Sequence, residues 1–261
     1  HRRPHLAGRR QPGRRPRADV LIACTPTVKP ADLLFTQGFG TRRECAALIA
    51  HGLLDVEGLG IVDDAGRALD PADLCFRVRG GERWPYRERA LVVLNKPAGY
   101  ECSLKPRHHP SVYSLLPAPL RQRGVQPIGR LDEDTTGVLL FTNDGALVHR
   151  LTSPKRHVAK VYEVRCKHAV DAGLIERLCA GVLLHDDNET VRAAACEATG
   201  ERELRLTLTE GKYHQVKRMI AAAGNRVEGL ERSAFGAVGL EGLAVGAWRW
   251  ADAAVDFPLA R

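Results

Sequence analysis

GRLDEDTTGVLLFTNDG, residues 129–145, joins two kinds of sequence. From Val138 to Phe141 the residues are apolar, and the strand pattern stops at Asp144-Gly145, the punctuation of a strand entering a turn. Before it, Asp132-Glu133-Asp134-Thr135-Thr136 is turn chemistry. In an extended chain residues i and i+2 share a face, so Arg130 would sit beside Asp132. An adjacent cation favours an ionised, oriented carboxylate, which a carboxylate nucleophile needs. Asp134 would share that face if the strand continued, but the turn-like DEDTTG is expected to bend the chain and separate the carboxylates. The spacing alone fits a solvated structural turn as well as a catalytic one.

Working outward, ALVVLNKPAG (90–99) reads as a strand running into a Pro-Gly turn, and ALVHRLTS (146–153) has a helical pattern. VAKVYEVRC (158–166) is extended, and DAGLIERLCAG (171–181) is helical with a glycine stop. ELRLTLTEG (203–211) alternates, with Leu204, Leu206 and Leu208 on one face. In YHQVKRMIAAAGN (213–225), Val216, Met219, Ile220 and Ala223 recur at helical spacing before Gly224-Asn225. The order lacks a regular βαβ rhythm, so the expected class is α+β: a largely antiparallel mixed sheet flanked by helices over 90–261. No internal repeat is present.

Upstream, residues 29–81 read as a separate small αβ unit. PADLLFTQG is a short helix closed by Gly38, and TRRECAALIAHG is a second with Cys45, Leu48, Ile49 and Gly52 on one face. LLDVEG and DLCFRVRG follow as short strands. ERWPYRER (82–89) reads as a linker. Residues 1–28 form an Arg-, Pro- and Gly-rich arm with almost nothing to bury, expected to be disordered.

The 261-residue chain is 44% hydrophobic and 27% charged, the composition of a soluble globular protein of about two domains. No apolar run approaches the ~18 residues of a membrane span, and the N-terminus lacks a secretory core. Seven scattered cysteines without C-x-x-C fit neither a zinc site nor a disulfide framework, so free thiols in a reducing cytosol are expected. The net charge is +8, yet residues 1–17 hold seven arginines and no acid; the rest carries 32 basic against 31 acidic groups. A polyanion would therefore meet a local patch. Residues 145–170 supply one, with basic residues at 150, 155, 156, 160, 165 and 167 against the single acid Glu163. Arg150, Lys155 and Arg156 are its RNA-contact candidates.

One enzyme reading of the acidic segment involves a metal. Asp132-Glu-Asp134-Thr-Thr fits the D-x-D-x-T of haloacid-dehalogenase-like phosphatases, and His185-Asp186-Asp187 could imitate a downstream metal motif. That pattern follows a buried strand, however, whereas Gln126-Pro-Ile-Gly-Arg-Leu precedes it here.

Four motifs in order carry a more specific resemblance: LNKPAGYECS, GRLDEDTTGVLLFTNDG, TSPKRHVAKVYEV and TEGKYHQVKRMIAAAGNRV. Together they resemble the pseudouridine synthases of the small-subunit rRNA (RsuA) type, over residues 29–261. YHQVKRM and ECSLKPRHHPSVYSLL lean to the subgroup acting on 16S rRNA at uridine 516 over the 23S rRNA enzymes. The resemblance implies that Asp132 is the catalytic carboxylate, Arg130 its ion-pair partner, Tyr162 the active-site tyrosine in K-x-Y after Lys160, and Lys217 the basic residue of His214-Gln215-Val-Lys217. Asp134, Thr135 and Thr136 frame the carboxylate, and with Arg130, Lys160, His214, Gln215 and Arg218 they make up the implied substrate-binding set. Leu230-Glu-Arg232 has Glu where relatives often carry His.

By the same resemblance 29–81 is an S4-like RNA-binding module, with Arg42 and Arg43 opening its second helix, although residues 32–81 hold five basic against eight acidic groups. Uridine isomerisation breaks N1–C1′ and rejoins the base through C5 without redox change, so neither cofactor nor metal is implied. Asp132 would add to sugar or base, or take the C2′ proton. Tyr162 offers a stacking ring and a hydroxyl near C5. The implied partner is ribosomal RNA, as 16S rRNA in a small-subunit assembly intermediate, met by a cytoplasmic monomer that needs no membrane. A non-catalytic RNA-binding or ribosome-assembly factor on the same scaffold is the rival reading.

Overall fold

The computed structural model describes residues 26–258 apart from 185 and 187. The Arg-rich arm through residue 25, and His185 and Asp187 of the imitated metal motif, lie outside the described residues. In chain order the helices are α1 (Pro30–Thr36), α2 (Arg42–Ala50), α3 (Ala118–Gln122), α4 (Gly145–Thr152), α5 (Ala172–Ala180), α6 (Gln215–Ala222) and α7 (Ala253–Asp256). The strands are β1 (Leu54–Val56), β2 (Gly60–Ile61), β3 (Cys75–Val78), β4 (Trp84–Pro85), β5 (Leu91–Lys96), β6 (Gln126–Pro127), β7 (Thr136–Thr142) and β8 (Lys160–Cys166). They continue as β9 (Val182–Leu184), β10 (Glu189–Val191), β11 (Ala195–Ala198), β12 (Glu203–Leu208), β13 (Val227–Phe235), β14 (Val238–Gly239) and β15 (Trp248–Trp250).

Local chemistry sets the helix boundaries. Thr41 and Glu44 form a reciprocal capping box at α2. The Asp144 carboxylate accepts from Ala146 and Leu147 N–H, so the Asp-Gly that ends β7 also starts α4. Asp171 caps α5, and Gly181 ends it.

The large sheet runs β11-β12-β8-β13-β7-β5-β15, with β14 beside β13 and β6 beside β7. β13 and β7 pair parallel; the neighbouring pairs are antiparallel. This is the mixed, largely antiparallel sheet expected from the sequence. β5 and β7 are buried on both faces, which explains apolar runs without polar alternation. Val92, Leu94, Leu139 and Phe141 join one hydrophobic cluster; Leu91, Val93, Val138 and Leu140 join another on the opposite face. β12 faces a third cluster through Leu204, Leu206 and Leu208, against α5 and α6.

One row crosses this sheet in register: Lys96 opposite Gly137, Gly137 opposite Arg232, Arg232 opposite Tyr162, Tyr162 opposite Leu206. Gly137 is obligatory there. Its φ is +100°, and an added Cβ would lie 2.3 Å from the Arg232 carbonyl oxygen.

The segment read as a linker is part of the structure on both sides. Trp84 in β4 pairs with β3 to complete a small sheet, β2-β1-β3-β4. Its ring meets Phe39 at 5.3 Å and Trp250, from the far edge of the large sheet, at 5.2 Å. Gln37 and Arg123 hydrogen-bond the backbone of Arg87, and burial pushes the Arg123 guanidinium down to about 10. The two-helix unit thus shares a continuous hydrophobic cluster with one face of the large sheet. No helix among the described residues is long and apolar enough to cross a membrane.

Because Trp84 bridges the two sheets, Trp84→Ala is expected to cost about 3–5 kcal/mol. Urea unfolding followed by circular dichroism and by Trp fluorescence checks this, and one shared transition is expected.

Candidate active site

The acidic turn is held from beneath by a lysine. Lys96 ends β5 with no exposed surface, and its ammonium donates to three backbone carbonyls: Thr135 at 2.8 Å, Pro97 at 3.0 Å and Glu133 at 3.1 Å. An ammonium has three donors, and all are engaged. Gly99 N–H adds a bond to the Glu133 carbonyl. Burial drives the Lys96 pKa below the ordinary value, with nearby Cys102 and the acids of the turn opposing it. Thr135 N–H closes the turn on the Asp132 carbonyl at 3.2 Å.

That turn presents Asp132 to two partners from the start of α6. Lys217 Nζ lies 3.0 Å from its Oδ2, and His214 Nε2 lies 3.1 Å from its Oδ1. The expected Arg130–Asp132 ion pair is not formed. The chain turns at 132–135 instead of continuing extended, so Arg130 and Asp132 lose a common strand face. Arg130 stays exposed but lines the same cleft. The turn also does not isolate Asp134: Lys217 donates to both its oxygens, at 2.7 and 2.9 Å. Burial raises the Asp134 pKa, but the Lys217 hydrogen bond and charge outweigh it and hold the group below its usual value. For Lys217 burial works downward, and the bonds to Asp134 and Asp132 lift the pKa above the ordinary lysine value. Asp132 precedes β7 instead of ending a strand, which sets it apart from the phosphatase arrangement, and no metal-binding cluster of three His, Cys, Asp or Glu occurs among the described residues.

A cleft of about 830 Å³ opens over these groups, lined by Arg130, Asp132, Asp134, Tyr162, His214 and Lys217. Tyr162 is buried on β8 with part of its surface in the cleft. Its neighbours are Lys160, two residues earlier on the same face, and Arg232, opposite it on β13. Both cations are buried and both lie over the Phe235 ring. Burial, and then the Arg232 charge, push the Lys160 pKa down.

His214 takes a left-handed backbone (φ +46°), uncommon for a residue with a side chain and found in sites held by their surroundings. Exposed Tyr213 stacks on its ring at 3.7 Å. Gln215, expected to touch substrate, is buried and lines the small pocket beside Asp132; its amide donates to Glu210 and accepts from Lys212 N–H, which fixes this turn. Arg218 reaches the Tyr213 carbonyl and Asp186, bracing the turn from outside the cleft. Thr135 is buried beside Asp132 in a small adjoining pocket, and Thr136 hydroxyl approaches the Leu230 carbonyl.

Of the basic patch, Lys160 reaches the cleft, whereas Arg150 holds the Phe257 carbonyl. Lys155 and Arg156 are exposed on a 3-10 turn. Arg42 and Arg43 are exposed on α2, with Arg42 paired to Asp32 over the Phe35 ring.

Sequence reasoning missed Lys96, Tyr213 and Glu101. Lys96 had one available signal, a lone charge closing the apolar run ALVVLN. Glu101 accepts three backbone N–H groups, from His108 (2.8 Å), His109 (2.9 Å) and Arg107 (3.1 Å), which fold a basic loop onto the rim of the cleft. Those bonds hold its pKa down at about 2.

Residues 90–222 match the RNA pseudouridylate synthase family. Among similar proteins, ribosomal small subunit pseudouridine synthase A of Escherichia coli K12 is 42% identical over 220 residues, 84% of this chain and 94% of that protein. The uncharacterized RNA pseudouridine synthase YtzG of Bacillus subtilis is 39% identical over 221 residues, 83% of this chain and 92% of the relative. A crystal structure of a pseudouridylate synthase superposes with a TM-score of 0.62 at 31% identity, covering 89% of this chain and all of the other.

The Glu101 loop has a pH signature. A depressed carboxylate contributes in full above its ordinary value of 4.5, and that contribution is lost progressively as pH falls from 4.5 through about 2, where the folded-state carboxyl itself protonates. In an NMR titration the amides of Arg107, His108 and His109 are expected to hold their shifts through pH 4. A midpoint near 4.5 would contradict the contact.

Proposed function

The chain belongs to the RNA pseudouridylate synthase family, as an enzyme of the RsuA type, and we propose that it isomerises a uridine of ribosomal RNA with Asp132 as its catalytic carboxylate. One observation carries the assignment of Asp132. Of the three clustered acids, it alone is met by both His214 and Lys217 at the cleft that Tyr162 also lines. The 42% identity to a ribosomal small subunit pseudouridine synthase supports small-subunit rRNA as the substrate, and the uridine 516 type rests on the resemblance carried by YHQVKRM and ECSLKPRHHPSVYSLL.

The reaction balances within one nucleotide. The N1–C1′ bond breaks, C5 bonds to C1′, and the C5 proton is lost while N1 gains one. The target must leave its stack, at a cost of a few kcal/mol. The Tyr162 ring stacks on the extruded base, worth about 1–3 kcal/mol, and its hydroxyl serves as acceptor near C5. Asp132 is the group that adds to the sugar or base, or takes the C2′ proton. Lys217 supplies charge at its Oδ2 and, through Asp134, ties the turn to α6. Arg130, exposed at the cleft and not paired with Asp132, contacts the RNA substrate there. Residues 29–81 act as an S4-like module that docks RNA through Arg42, Arg43 and helix shape, while Lys155 and Arg156 contact phosphates and contribute affinity more than sequence choice.

Tritium release from [5-³H]uridine-labelled 16S rRNA tests this reading. Wild type is expected to release tritium and Asp132→Asn to fall to background; equal release would overturn the assignment, and none from either would leave an RNA-binding protein. Lys217→Met is expected to lower kcat by about 10²-fold, the scale of removing one oriented charge at a reacting centre, with partial recovery in Lys217→Arg. Mapping the modified position checks the 16S assignment, and a product in 23S rRNA would replace it.

A further inference from the structure

Two cations in the cleft are left over from this chemistry. Lys160 is 7% exposed and Arg232 is 3% exposed, yet neither has a carboxylate within 4 Å among the described residues. Arg232 Nε donates to the Val138 carbonyl, and one terminal nitrogen is sealed from solvent without any acceptor. Among the described residues the Lys160 ammonium meets only the Phe235 ring, 5.3 Å away. The acid acting on it from farther off, Glu210, is already engaged by Gln215. Buried charges are ordinarily paired, and two like charges against one ring without a carboxylate partner call for an anion supplied from outside.

The backbone is built to bring them together. Residues 232 and 235 of a regular strand face opposite sides of a sheet. On β13 the register slips between Arg232 and Ala234, so that Arg232 pairs with Tyr162 and Phe235 with Lys160. The extra residue, Ser233, thereby turns both Arg232 and Phe235 to one face, where both cations share the ring. A bulge that re-aims side chains is a recurrent device beside active sites. Lys160, Arg232 and Phe235 all line the cleft that holds Asp132 and Tyr162.

We infer that Lys160 and Arg232 form an oxyanion site for a phosphodiester group of the strand carrying the target uridine. This rests on the reading that the cleft takes an extruded nucleotide. A nucleotide turned out about its backbone carries its own phosphates with it, and the guanidinium fork and ammonium match phosphate oxygens. Phe235 forms the floor, keeping water away and leaving the oxyanion as the cations' counter-charge.

The test uses the full chain and Lys160→Met, a near-isosteric change that removes the charge, with Lys160→Gln as a second variant. Affinity for 16S rRNA transcript is measured from low to high KCl, and thermal stability is measured in inorganic phosphate against chloride at matched ionic strength. Each variant is expected to bind RNA about tenfold more weakly at low salt, with a log–log salt slope shallower by about 0.7–0.9, one phosphate contact. Phosphate is expected to raise the Tm of wild type and not of the variants, whose own Tm in chloride does not fall. An unchanged slope together with phosphate stabilisation equal to wild type would overturn the site. A purely structural lysine would lower Tm and leave the slope alone, which also overturns it. Tritium release by wild type is run in parallel: its absence would count against the pseudouridine reading, while phosphate binding reports on the two cations separately.

Discussion

A lysine ammonium enclosed by protein cannot remain there without acceptors, and Lys96 finds three, all backbone carbonyls of the turn that carries Asp132 or of the adjoining Pro-Gly turn. This interaction joins the end of one central strand to the approach of its neighbour. It fixes the path of residues 132–135, and so fixes which way Asp132 points. Carbonyls are indifferent to the side chains around them, so the turn can carry three adjacent acids while its backbone is held by a cation below. The arrangement places positive charge on both sides of the acidic segment, Lys96 beneath and Lys217 above, with the His214 ring against the Asp132 carboxylate.

The rest of the cleft follows from the strand register. The row Lys96, Gly137, Arg232, Tyr162 crosses four strands, and its glycine is the point where β13 approaches β7 too closely for any side chain. Parallel pairing at that point brings β13, and with it Arg232, beside the turn. α6 then lies against β13 and delivers His214 and Lys217 from its first turn. Residues distant in sequence thus meet through three pairings and one helix.

Periodic features were legible in the sequence because one strand or helix determines them. Leu204, Leu206 and Leu208, and the Val216, Met219, Ile220, Ala223 stripe, are buried as their spacing implies. The motifs that carry the family resemblance also converge: Asp132, Tyr162 and Lys217 line one cleft. What could not be read is set by tertiary geometry. Arg130 was matched to Asp132 on an i, i+2 rule that holds only for extended backbone, and the turn removed that condition. Gln215 and Arg218 lie in a functional motif, yet their side chains shape its backbone. The 82–89 segment has linker composition, but Trp84 finds aromatic partners on both sheets. The bulge at Ser233 leaves no compositional trace, so nothing in the sequence aims Arg232 into the cleft.

The Lys96 ammonium positions the turn that carries Asp132. The most direct test of this is the single-turnover rate of pseudouridine formation in 16S rRNA by Lys96→Met at saturating enzyme, where RNA affinity no longer enters. A misplacement of about 1 Å at a reacting group costs on the order of 10²-fold, so a fall of at least that size is expected while the variant stays folded and binds RNA as wild type does. A folded variant reacting at the wild-type rate would contradict the account.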